Sequence, residues 1–134
     1  MVDWSTQADL LRCNPKFHGS QRYDFLITDL GPPQGLVFAK LVCLFTCTSG
    51  TRVHPLALVQ VLGYQPRTGS VRDIDRKLSI FRWSLRARNR CEIISIRTIV
   101  RGALLIQDAK YSGDYFVVDA VDTDMFLQVK QMRL

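Results

Sequence analysis

The chain has 134 residues, of which 47% are hydrophobic and 22% are charged, and its formal net charge is +6. These values are typical of one globular domain with a proper core, and they exclude a largely disordered chain. The longest apolar segment, residues 36–47, contains a lysine and is shorter than the roughly twenty residues of a membrane span. We therefore expect a single domain over residues 1–134 with no membrane partner.

Residues 1–22 are predicted to form a short helical or irregular lead-in, because Ser5 is a capping residue and Asn14-Pro15 would end a helix. No secretion signal is predicted at the N-terminus. The four cysteines are therefore expected to be reduced thiols in an intracellular protein, nuclear or cytoplasmic. Their spacing does not favour a metal site, and no cofactor is predicted.

From residue 23 onward the pattern predicts strands, separated by turns rich in glycine, proline and aspartate. Residues 65–77 are polar and basic and are predicted to form a long exposed loop. Leu56, Leu58 and Val61 are predicted to point inward, and residues 122–124 to turn a closing hairpin. The predicted strands cover residues 23–30, 36–48, 53–64, 78–87, 92–95, 99–106, 115–120 and 125–130.

Short strands at intervals of about 8–12 residues, without a long helical period, indicate an all-β domain. We predict a small barrel or partly open antiparallel sheet of about seven strands, with residues 23–130 as its core.

Positive charge is concentrated between Arg67 and Arg101. This segment holds ten basic and three acidic residues, so its charge of +7 exceeds that of the whole chain. Nine of the ten basic residues are arginine, whose planar guanidinium matches phosphate or carboxylate in two-point contact. A segment of this kind attracts a polyanion.

Strict alternation within residues 81–88 places Phe81 and Trp83 on one strand face and arginines on the other. Such a row matches the repeated charges of a nucleic-acid backbone, so we predict a nucleic-acid or chromatin contact without sequence specificity. The predicted contact residues are Arg72, Arg76, Lys77, Arg82, Arg86, Arg88 and Arg90.

Several alternatives to this interface stay open. The arginines could form a solvated face or pair internally with the acidic C-terminal half, or they could meet an acidic protein. An unpaired strand edge could instead make the domain a protein–protein or self-association module. A metal-dependent nuclease using Asp119, Asp122 and Asp124 is a third function, but clustered aspartates more often serve turns. We expect a protein that is not an enzyme.

Several segments resemble a β-rich module near the C-terminus of fungal Plavaka/CACTA-like transposase proteins. The strongest runs from Gly113-Asp114-Tyr115 to Asp124-Met125-Phe126, and the likeness covers most of residues 14–130. Weaker pieces are residues 22–24, 38–41 and 55–59. The strand order is also weakly similar to bromo-adjacent-homology domains, which bind chromatin proteins and nucleosomes. The resemblance implies an accessory binding module with a transposase as a possible partner, and it brings no catalytic residue.

Overall fold

The computed structural model of the chain describes residues 10–63, 81–85, 90–119 and 123–133. Ten strands, one 3₁₀ turn and one α-helix lie in these ranges. In chain order they are β1 (Cys13–Phe17), β2 (Ser20–Tyr23), β3 (Phe25–Asp29), β4 (Leu36–Ser49), β5 (Arg52–Val61), β6 (Arg82–Ser84), β7 (Arg90–Ser95), the 3₁₀ turn (Ile96–Thr98), β8 (Ile99–Ala103), β9 (Leu105–Gln107), β10 (Asp114–Val117) and α1 (Thr123–Arg133).

The strands form three antiparallel sheets. The largest has five strands in the order β7-β5-β4-β3-β8, a second has the order β6-β10-β9, and β1 pairs with β2. Among the described residues the edge strands of the large sheet do not pair with each other, so that sheet is open. The prediction of an all-β fold with a partly open antiparallel sheet is therefore confirmed.

Aromatic side chains join the five-stranded sheet to the three-stranded sheet. The ring of Phe38 on β4 lies 5.0 Å from Trp83 and 6.1 Å from Phe81, both in edge-to-face geometry. Phe25 on β3 lies 4.8 Å from the ring of Tyr115 on β10. Edge-to-face pairs of this kind add to the burial of large apolar surface. The core therefore continues from one sheet into the other, and it includes Phe81 and Trp83, which alternation places on one strand face.

The β4–β5 hairpin extends well beyond this core. Its register runs without interruption from the Cys43–Leu58 pair to the turn at Ser49 and Arg52. The first half of β4, which lies nearer the core, is mostly buried. The second half of β4 and the first half of β5, which lie nearer the turn, are mostly exposed. Gly50 occupies the turn with a φ of +61°, a conformation that glycine adopts without strain. The hairpin tip is thus a projecting, largely exposed part of the domain.

The N-terminal prediction is wrong for residues 13–22, which belong to the β1–β2 hairpin. The two-residue turn consists of His18 and Gly19, with φ of +48° and +83°. Positive φ at both turn positions is the geometry that suits the right-handed twist of paired strands, and glycine favours it. The His18-Gly19 dipeptide therefore connects two paired strands, where a lead-in was expected.

The C-terminal prediction is also wrong, because residues 123–133 form α1 and no strand covers residues 125–130. Val129 is buried, and Met132, one turn further on, packs against the core. This segment carries methionine, leucine, glutamine and lysine, all of which favour a helix.

On β5 the inward prediction holds for Val61, but Leu56 and Leu58 are only half-buried. Ala57 and Val59 are buried in their place. The predicted loop 65–77, and parts of the predicted strand 78–87, lie outside the described residues.

Candidate nucleic-acid interface

The structure describes two of the seven basic residues that the sequence predicts as contacts, Arg82 on β6 and Arg90 on β7. The other five, Arg72, Arg76, Lys77, Arg86 and Arg88, lie outside the described residues. Their part in an interface stays a prediction.

Arg82 is buried, which corrects the expectation that it faces a nucleic acid. Only 8% of the surface of Arg82 is exposed to solvent. Its Nη1 atom donates to Asp108 Oδ2 at 2.6 Å and to Asp114 Oδ2 at 3.2 Å. Asp114 is fully buried. The guanidinium carbon also lies 4.4 Å from the centroid of the Phe116 ring, in a cation–π contact. Arg82 thus belongs to an internal ion-pair network.

The register of β6 against β10 explains this position. Arg82 lies directly opposite Phe116, and Ser84 lies opposite Asp114. Directly opposite residues share a sheet face, so Arg82 and Asp114 are diagonal neighbours on one face and within reach of each other. All three residues of β6 are buried. Strand alternation does separate Arg82 from Trp83, but both side chains are covered.

Asp108 completes the network from the turn between β9 and β10. Burial by itself raises the pKa of its carboxyl group. Hydrogen bonds from Arg82 and from the backbone N–H groups of Lys110 and Tyr111, together with the positive charge of Arg82, outweigh burial. The pKa of Asp108 therefore lies below its ordinary value, and the carboxylate stays charged beside Arg82.

Arg90 has a different environment, because its side chain is exposed at the start of β7. Its Nη2 and Nε atoms donate to Glu92 Oε1 at 2.5 and 3.1 Å. Exposed pairs of this kind are weak, since water and salt screen them. Arg90 is therefore accessible to a ligand.

The described residues contain a second basic site that sequence reasoning missed. A concavity of about 490 Å³ lies between the tip of the β4–β5 hairpin and the 3₁₀ turn after β7. We name it the basic groove. It is lined by Cys47, Arg52, Val53, His54, Pro55, Leu56, Ser95 and Arg97.

The sheet register brings the lining residues together. Arg52, His54 and Leu56 alternate along β5 and therefore share one face. Cys47 lies opposite His54 on β4, and Ser95 lies opposite Leu56 on β7, so both lie on that same face. Arg97 follows two residues after Ser95. Arginines forty-five positions apart in the sequence thus line one concavity.

Hydrogen bonds anchor the turn that carries Arg97. The Ser95 side chain accepts from the Arg97 backbone N–H at 3.3 Å, and Thr98 Oγ1 donates to the Ser95 carbonyl at 2.7 Å. Thr28 Oγ1 on β3 donates in turn to the Thr98 carbonyl at 2.9 Å. These bonds tie the turn to the fully buried Thr28, so the backbone that presents Arg97 has a fixed position.

The charge of the basic groove is uncompensated within its own lining. Arg52, His54 and Arg97 are exposed, and no lining residue is acidic. No carboxylate of the described ranges lies within ion-pair distance of Arg52 or Arg97. Val53, Pro55 and Leu56 contribute apolar surface to the lining. A concavity with apolar walls and two guanidinium groups that pair with no described carboxylate favours an anionic ligand.

The predicted nuclease residues do not form a visible site. Asp119 is half-buried after β10, Asp124 lies on α1, and Asp122 lies outside the described residues. Asp114, from the same acidic run, bonds to Arg82 instead. In the part of the chain that the structure describes, no three histidine, cysteine or acidic side chains are placed to hold a metal ion. The four cysteines are free thiols.

No α-helix of the described residues is long and apolar enough to cross a membrane. Comparisons of the chain with protein-family models, with curated proteins and with solved structures give no match. The resemblance to the transposase module and to bromo-adjacent-homology domains therefore stays a prediction, and function must be argued from the residues.

Proposed function

We propose that the domain is a non-enzymatic module that binds nucleic acid through the basic groove. The observation that carries the proposal is the placement of Arg52, His54 and Arg97 around one concavity whose lining holds no carboxylate. Phosphate oxygens are the anions that recur along a nucleic acid, and the guanidinium fork can donate to two of them at once.

The proposed binding is driven by charge and does not read sequence. Arg52 and His54 alternate on β5, so they lie about 6.6 Å apart along one strand face, a separation suited to contacts along a phosphate backbone. Because the proposed contacts are made to phosphate charges, affinity should fall steeply as salt concentration rises.

The arginine-rich segment adds further proposed contacts, which rest on the sequence. We include Arg72, Arg76, Lys77, Arg86 and Arg88 as proposed contacts from the sequence, and Arg90 because it is exposed. Arg82 is left out, since its guanidinium is held between two carboxylates.

A chromatin-associated or transposase-associated setting, intracellular and nuclear or cytoplasmic, is part of the proposal. Two considerations support it. Reduced cysteines suit an intracellular compartment, and the sequence resembles an accessory transposase module. Neither consideration selects DNA over RNA.

Fluorescence anisotropy with a labelled duplex and a labelled single strand, at low and high salt, tests the proposal. The double variant Arg52→Glu/Arg97→Glu should weaken binding at least roughly tenfold, because hydrogen bonds to charged groups contribute about 1.5–3 kcal/mol each. The slope of log affinity against log salt should also fall by about two, one for each lost phosphate contact.

The control is Lys110→Glu/Lys130→Glu, which lowers the net charge from +6 to +2, the same change as in the groove variant. Both lysines are exposed and lie away from the groove lining. Equal loss of affinity in both variants would mean that binding depends on net charge alone and not on the basic groove. Loss only in a third variant, Arg86→Glu/Arg88→Glu, would move the site to the arginine-rich segment. Absence of binding by the wild type at low salt would refute the function.

A further inference from the structure

In the part of the chain that the structure describes, β7 is an edge strand of the five-stranded sheet with a regular backbone. Within the described residues it pairs with β5 on one side only, over six residues and without a register shift. It contains neither proline nor a bulge. By contrast, the pairing of the opposite edge strand, β8, is interrupted by a register shift. Regular, uninterrupted edges accept another strand unless charge or geometry prevents it.

The side chains of β7 favour a copy of the same strand. Arg90 and Glu92 lie two residues apart, so they share one face, and their charges are opposite. Charged side chains protect an edge strand when like charges of two copies come to lie directly opposite each other, because that arrangement is destabilising. Opposite charges at this spacing are instead complementary to themselves when the strand is reversed.

We propose that β7 pairs antiparallel with β7 of a second copy of this chain, around a two-fold axis at Cys91. In this register Arg90 lies opposite Glu92 of the second copy, and Glu92 lies opposite Arg90 of the second copy. Two ion pairs thus flank the axis. A symmetric interface of this type repeats each contact twice.

The neighbouring registers are disfavoured by charge. Moving the axis to Glu92 places this carboxylate directly opposite its own equivalent, which is destabilising. Moving it to Ile93 places Glu92 opposite Ile94 of the second copy and leaves the carboxylate without its cationic partner. Only the axis at Cys91 pairs each charge of the strand with its opposite.

The other face of β7 adds apolar surface at the same edge. Cys43, Leu58 and Ile93 lie opposite one another on three adjacent strands and form a row across the sheet. Ile93 ends this row and is 63% exposed. In the proposed register the facing residues are Arg90, Cys91 and Glu92 of each copy, and Ile93 lies diagonally from Cys91 of the second copy on the same face. This contact covers part of Ile93, and the burial favours the paired state.

The pairing predicts a specific cross-link. Directly opposite residues of an antiparallel pair have Cα atoms about 4.5–5.5 Å apart, within the range that a disulfide spans. Diamide, a thiol oxidant, accepts two electrons and two protons from two Cys91 thiols and leaves one S–S bond. The expected product is a covalent dimer that a reductant dissolves. Cys91→Ser should abolish it, whereas Cys47→Ser, which removes another exposed thiol, should not.

Sedimentation equilibrium without nucleic acid tests the interface directly, at protein concentrations up to about 100 µM, since small interfaces often have micromolar affinity. The wild type should dimerise. Arg90→Glu and Glu92→Arg, which make the strand uniformly acidic or uniformly basic, should each be monomeric, with unchanged circular dichroism. Mixed together, the two variants should form a heterodimer.

The mixing experiment separates pairing between copies from the ion pair within β7, because neither variant keeps that internal pair. A monomeric wild type overturns the proposal, and so does a mixture that stays monomeric. A disulfide-linked dimer that persists in Cys91→Ser overturns the register. Because nucleic acid is absent, these results do not depend on the function of the basic groove.

Discussion

Replacement of Arg82 by methionine tests the buried ion-pair network most directly. Methionine keeps much of the length and the apolar stem of arginine but removes the charge. The change removes the Arg82 cation from the fully buried carboxylate of Asp114, and it also removes the partner of Asp108 at 2.6 Å. The cation–π contact with Phe116 at 4.4 Å is lost as well.

The expected cost is about 3–5 kcal/mol, the usual result of removing one partner of a buried ion pair. Domains of this size have a free energy of unfolding of about 5–15 kcal/mol, so the variant should be marginally folded. Arg90→Met is the matched control. It breaks an ion pair whose arginine side chain is 60% exposed, and should cost less than about 1 kcal/mol.

Urea unfolding, followed by circular dichroism and by tryptophan fluorescence, measures both free energies of unfolding. Two further variants keep the test informative if Arg82→Met does not fold. Arg82→Lys retains the charge and should lose less stability. Arg82→Met combined with Asp108→Asn and Asp114→Asn removes the three charges of the network that the structure describes and should recover much of the loss. If Arg82→Met costs no more than Arg90→Met, then Arg82 faces water and the internal network is refuted.

Two further predictions concern acid stability and the C-terminal helix. Asp108→Asn should lose stability at neutral pH, and its difference from the wild type should shrink as pH falls from about 5 to below 3 in urea titrations. The sign follows from the pKa of Asp108, which is lower in the folded protein than in the unfolded chain. The charged carboxylate therefore stabilises the fold above the unfolded pKa of about 3.9, and this contribution is lost as the pH falls through the folded pKa. A difference in stability that stays constant with pH would contradict the prediction. Val129→Asp should cost more than about 2 kcal/mol, and Leu127→Asp less than about 1 kcal/mol, because Val129 is 1% exposed and Leu127 is 56% exposed. In a strand these two residues would share a face, so equal losses would favour the strand over α1.

The β-rich class of this fold could be predicted because its signal is local. Alternation and turn residues predict strands wherever a run is long enough, and the predicted strand 36–48 matches β4 closely. The β1–β2 hairpin had a local signal too, the glycine at position 19, but its turn is only two residues long. The sequence of α1 contains helix-forming residues, but aspartates at its start are also typical of turns. The sequence is therefore compatible with a helix and with a hairpin.

Local sequence patterns do not determine which face of a strand is buried. Alternation on β5 separates Leu56 and Leu58 from Ala57 and Val59, but all four are apolar, so the pattern does not select the buried set. On β6, alternation correctly separates Arg82 from Trp83. It does not show that the face of Arg82 is covered by Asp108, Asp114 and Phe116.

The basic groove depended entirely on tertiary structure. Its arginines come from the start of β5 and from the turn after β7, and only the pairing of Leu56 with Ser95 brings them to one end of the sheet. The sequence by itself determined the strand-rich class, the long β4 and the excess of arginine, because these follow from composition and from short-range periodicity. Which arginines are neutralised inside and which line an open groove was decided by strand register, which joins residues far apart in the chain and is set by the packing of the whole core.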